Sequence, residues 1–74
     1  MPTNDDSITL TVQLPNGDVA WQLAQFCKRI SFNAAFELTE AHLSCDERTR
    51  LAYQMLAGMD AVARALADAG HSPR

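Results

Sequence analysis

The chain has 74 residues, of which 47% are hydrophobic and 20% charged, and it carries a net charge of −3. That length gives one small domain near the lower limit for a self-sufficient core, and the apolar content excludes a wholly disordered chain. The acidic balance disfavours electrostatically driven nucleic-acid binding, the two cysteines are too few for a secreted disulfide framework, and no apolar run approaches the roughly 20 residues of a membrane span.

The charge is unevenly spread: Asp5, Asp6 and Asp18 hold the excess, while the acids and bases of residues 19–43 and 44–74 balance. Residues 1–6 are polar and acidic with no apolar run, which predicts a flexible tail without an export signal and a cytoplasmic location with reduced thiols. Residues 7–14 then alternate strictly between polar and apolar. That pattern predicts a β-strand with Ile8, Leu10, Val12 and Leu14 on one face and Thr9, Thr11 and Gln13 on the other. Nothing else in the chain reads as a strand, and a lone strand needs an edge for its backbone groups. The expected partner is therefore another chain, with a homodimer preferred. Pro15, which cannot donate to a ladder, ends the strand.

Asn16-Gly17-Asp18 is turn chemistry in which either Asp18 or Asn16 can cap a helix. The helix is expected over about 18–30, with Val19, Leu23, Phe26, Cys27 and Ile30 on one face. Trp21 lies off that stripe and is expected either to pack across the strand or to sit at a subunit interface. Lys28-Arg29 is the single adjacent basic pair, read either as a solvated helix edge or as a contact to an acidic partner or a phosphate. Ser31 and Asn33 break the rhythm, and Phe32, Ala35, Phe36, Leu38 and Leu43 give a shorter helical segment over about 33–43. Residues 19–43 thus form one kinked helix or two.

Ser44 and Glu47 match a capping box, opening a helix over about 45–69 that stops at Gly70, with Pro73 beyond. Its apolar residues Ala52, Met55, Met59, Val62, Leu66 and Ala69 recur at heptad spacing. Gly58 costs about 1 kcal/mol in mid-helix relative to Ala, which a close helix crossing would justify. The fold class expected is α+β and mostly helical, one N-terminal strand followed by two or three helices. The domain runs from 7 to 70, with a second tail at 71–74.

Chemistry is sparsely represented. Cys27, His42, Cys45 and His71 lack zinc-finger spacing, and no nucleophile motif or phosphate loop is present. No metal, no cofactor and no catalytic residue is expected, so the chain is read as a non-enzyme.

Two resemblances add context. Leu14-Pro15 and the helical run Val19 to Leu43 resemble ribbon-helix-helix repressors. That resemblance implies a DNA-binding regulator whose Thr9, Thr11 and Gln13 read base edges, although the strand has no Lys or Arg. Residues 23–32 (Leu-Ala-Gln-Phe-Cys-Lys-Arg-Ile-Ser-Phe), Ala52-Tyr53-Gln54-Met55 and the ending from Ala65 to Arg74 are similar to a family of short uncharacterised proteobacterial proteins carried on mobile elements, plasmids and prophages. The resemblance implies a mobile-element accessory protein. The preferred expectation is a non-catalytic homodimer that binds another macromolecule, an inhibitor of a host defence complex of the anti-CRISPR type being one version. Its dimer interface would hold Ile8, Leu10, Val12, Leu14 and Trp21, and Lys28 and Arg29 would touch a protein partner. A membrane partner is not expected. The alternative is the DNA-binding regulator.

Overall fold

The computed structural model describes residues 7–72. Among these residues there are three helices and no strand: α1 (Gly17–Arg29), α2 (Phe32–Glu37) and α3 (Cys45–Asp68). The tail expected at 1–6, and residues 73–74 of the one expected at 71–74, lie outside the described residues.

The expected α+β class, with its strand over 7–14, is therefore corrected to an all-helical architecture with an N-terminal arm. Alternation specifies which side chains share a face, but a strand exists only where a second segment accepts its ladder bonds. No such segment is found among the described residues, and residues 7–14 run as an arm outside regular secondary structure.

Each helix starts where a short polar side chain satisfies an orphan N–H. The Oδ1 atom of Asn16 accepts from the Val19 N–H at 3.0 Å and opens α1. This leaves Asp18 in the first turn, where a carboxylate complements the helix dipole. Ser31 caps α2 through Ala34 N–H at 3.1 Å, so residues 19–43 hold two helices separated by a break. Ser44 caps α3 through Glu47 N–H at 3.2 Å, as its capping-box pattern predicts.

The helix ends are less local. At the end of α3, Gly70 takes φ +92°, which lets the Gly70 N–H bond the Ala67 carbonyl at 3.0 Å and the His71 N–H bond the Leu66 carbonyl at 2.8 Å. This is the Schellman arrangement, and it needs a residue that tolerates positive φ. The second helix stops at Glu37 rather than near residue 43. Three donors converge on the Phe36 carbonyl: the Thr39 N–H at 3.1 Å, the Thr39 hydroxyl at 2.6 Å and Arg48 Nη2 at 3.0 Å. With that acceptor so occupied, the chain turns at 38–43 instead of continuing as a helix.

The long helix α3 is the spine, and α1 and α2 each pack on it. Against its C-terminal half lies a cluster of Ala20, Ala24 and Leu66, flanked by Leu14, Leu23 and Val62. Against its N-terminal half, Phe32 meets Tyr53 with ring centroids 5.0 Å apart, and the Arg48 guanidinium lies 4.4 Å from the Phe36 ring centre. The heptad seam of α3 is thus shared between two partners: Ala52 and Leu66 are buried, Met59 and Val62 half-buried, and Met55 and Ala69 exposed.

The result is a slab of 39 × 34 × 19 Å. Its radius of gyration is 14.3 Å, against about 11 Å for a compact chain of this length. Among the described residues, the buried hydrophobic core is four alanines and one leucine, and no large side chain is fully enclosed.

Candidate interaction surface

Leu14 is half-buried against the Ala20–Ala24–Leu66 cluster. Beyond it, Val12, Leu10 and Ile8 are 71%, 78% and 82% exposed. Together with α1 and the C-terminal half of α3, the arm borders an open groove of about 880 Å³. Leu23 on α1 and Val62 and Ala65 on α3 contribute to its apolar wall. Among the described residues lining it, none is Asp, Glu, Lys or Arg, and the polar ones are Thr11, Asn16 and His71.

His71 closes one end. The Schellman turn directs it back over the start of α1, where its ring meets Trp21 edge-on with centroids 5.4 Å apart. Its Nδ1 is buried without a hydrogen-bond partner. Trp21 is thereby half-buried within its own chain. Sequence reasoning placed His71 in a tail; the signal that would have found it is Gly70, because the residue after a Schellman glycine commonly packs back on the helix.

The remaining expected site residues fall elsewhere. Thr9, Thr11 and Gln13 are exposed along the arm, and Thr11 also borders the groove. Lys28 and Arg29 are exposed in the last turn of α1 and do not line the groove. A second depression of about 490 Å³, lined by both apolar and polar side chains, lies between the end of α2 and α3, where Leu38 and Met55 are 72% and 41% exposed.

The titratable groups are dispersed. Among the described residues, no three His, Cys, Asp or Glu side chains come together as a metal site would require. His42 lies 3.8 Å from Glu40 on the surface, and Cys45 is exposed in the first turn of α3. Cys27 packs with its sulfur 4.0 Å from that of Met59, and burial pushes its thiol pKa above the ordinary value. No helix among the described residues is long and apolar enough to cross a membrane.

No curated protein and no solved structure matches the chain. Residues 1–74 match a family of unknown function (DUF7706), and the chain belongs to that family.

Proposed function

We propose that this protein is a non-catalytic, homodimeric interaction protein whose working surface is the groove between the arm, α1 and α3. The observation that carries this reading is the exposure of Ile8, Leu10 and Val12 beside an apolar groove whose described lining holds no Asp, Glu, Lys or Arg. Three large aliphatic side chains left at 71–82% exposure next to such a groove form the kind of contiguous apolar patch that marks an association site. Acid–base or nucleophilic catalysis would need convergent reactive groups, and among the described residues lining the groove His71 is the one titratable side chain.

The similarity of residues 23–32, 52–55 and 65–74 to proteobacterial mobile-element proteins supports a role as a mobile-element accessory. In that setting a host defence complex is the class of macromolecule the dimer would engage.

The test is a Leu10→Asp/Val12→Asp variant, compared with the parent by far-ultraviolet circular dichroism and light scattering. Both positions are exposed in the single chain, so helical content should be unchanged while self-association is lost. A variant that still associates like the parent would contradict the reading.

A further inference from the structure

Asn16 and Gly17 stand where the arm becomes a helix, and the pair carries a chemistry of its own. The side-chain carboxamide of an asparagine is an electrophile one ring closure away from the backbone nitrogen of the next residue. Closure to the five-membered imide is fastest when that next residue is glycine, because it has no Cβ to crowd the approach to the nitrogen. It also requires a backbone that can turn the carboxamide towards that nitrogen.

These conditions meet at residue 16 and not at residue 33. Asn16 is exposed and extended at φ −167°, ψ 176°, outside the helix it caps. Gly17 is the first residue of α1, so its N–H has no acceptor within the helix. Two bonds hold Asn16 in place: the Val19 N–H donates to its Oδ1 at 3.0 Å, and the Ala20 N–H donates to its carbonyl at 3.2 Å. Both lie in the first turn of α1, and a helix end is where local opening costs least. Asn33, by contrast, lies inside α2 and is followed by Ala34, whose N–H already donates to Ser31 Oγ at 3.1 Å.

We propose that Asn16-Gly17 is a site of spontaneous covalent modification, at which the opening of the first turn of α1 lets Asn16 convert to isoaspartate. The Gly17 nitrogen gives its proton to solvent and bonds to Asn16 Cγ, the Cγ–Nδ2 bond breaks, and ammonia leaves. Water then opens the imide. Attack at Cγ breaks the new bond and yields aspartate at this position. Attack at the backbone carbonyl carbon breaks its bond to the Gly17 nitrogen and yields isoaspartate, with the main chain running through Cγ.

The two products act oppositely on α1. Aspartate keeps a capping oxygen and adds a negative charge at the positive end of the helix. Isoaspartate lengthens the main chain by a methylene and moves the free carboxylate onto Cα, away from its place under the Val19 N–H. Leu14 and Ala20, on either side of the change, belong to one apolar cluster. The start of α1 therefore loosens, and with it the contact between Trp21 and His71. The site is built within one chain and stands apart from the homodimer reading.

The test is to incubate the parent at pH 8 and 37 °C and to follow the exchange of NH2 for OH at Asn16 and Asn33 by peptide mapping. Isoaspartate is identified by its methylation with protein isoaspartyl methyltransferase. Asn16 should convert at least tenfold faster than Asn33, with isoaspartate the larger product, and faster still in urea. Gly17→Ala should slow the conversion at least tenfold. Its Cβ would stand 3.7 Å from His71 Nε2, an ordinary contact, so folding should survive and is checked by circular dichroism. Asn16→Ser keeps a capping oxygen and cannot cyclise, so Trp21 fluorescence should drift in the ageing parent and stay constant in this variant. An Asn16 that stays intact in buffer while converting in urea would show that the cap holds the site closed, and would overturn the inference. So would conversion no faster than at Asn33, or conversion unaffected by Gly17→Ala. Isoaspartate formation with unchanged Trp21 fluorescence would overturn the loosening of α1.

Discussion

Arg48 and Thr39 form a polar clasp between α3 and the turn that follows α2. Arg48 Nε donates to Thr39 Oγ1 at 2.8 Å, and the same hydroxyl donates to the Phe36 carbonyl at 2.6 Å. Thr39 is the one buried polar residue among those described, at 6% exposure. A buried hydroxyl of this kind is costly unless both its donor and acceptor roles are filled. The guanidinium also lies over the Phe36 ring, so a single side chain fixes the end of α2 through three contacts.

Arg48→Ala should therefore lower stability by roughly 1.5–3 kcal/mol, the range for hydrogen bonds to a charged group. Arg48→Lys should recover less than half of that loss, because an ammonium cannot present the guanidinium fork to Thr39 and Phe36 together. Urea unfolding at one fixed protein concentration measures both, the fixed concentration being needed because association adds to apparent stability. A lysine variant as stable as the parent would show that charge alone, and not the fork, holds the clasp.

This clasp also shows where sequence reasoning ran out. The start of α3 at Ser44 was legible, and those of α1 and α2 were narrowed to two candidates each (Asp18 or Asn16, Ser31 or Asn33), because each cap is made within three residues. The Gly70 stop was legible for the same reason. The end of α2 was not, because the group that completes it, Arg48, lies nine residues beyond Thr39 and on another helix. The strand was misjudged for a related reason. The alternation of residues 7–14 is real, but a ladder is a property of two segments, and one segment cannot specify it. The apolar arm residues themselves were legible as a candidate association surface. The groove facing them was not, since it is assembled from α1, α3 and the turn that brings in His71.

Two glycines should respond in opposite directions. No atom comes within 4 Å of a Cβ built on Gly58, so no close helix crossing accounts for it. Gly58→Ala should stabilise by about 0.5–1 kcal/mol through helix propensity alone. Gly70 also has open space around it, but its φ is +92°. Gly70→Ala should destabilise by about 1 kcal/mol through backbone strain, and it should loosen His71 from Trp21. Thermal melts read the stabilities, and Trp21 fluorescence reads the contact.

The two thiols should separate kinetically. Cys45 is exposed at the start of α3, whereas burial beside Met59 raises the Cys27 pKa. Raising a thiol's pKa lowers its thiolate fraction at pH 8, and the thiolate is the reactive form. Alkylation followed by mass spectrometry should find Cys45 modified at least tenfold faster than Cys27, with the difference abolished in denaturant. Equal rates in the folded protein would contradict the packing of Cys27.

The proposed pair is joined through an apolar surface whose described residues include no Asp, Glu, Lys or Arg. Sedimentation equilibrium from low micromolar to about 100 μM, at both 50 and 500 mM salt, tests it most directly. The predicted result is a mass of twice 8.1 kDa at micromolar concentration, with a dissociation constant that changes less than about threefold across that salt range, or tightens slightly as salt screens the net charge. A species of 8.1 kDa at every concentration would contradict it, and so would an association that weakens steeply with salt.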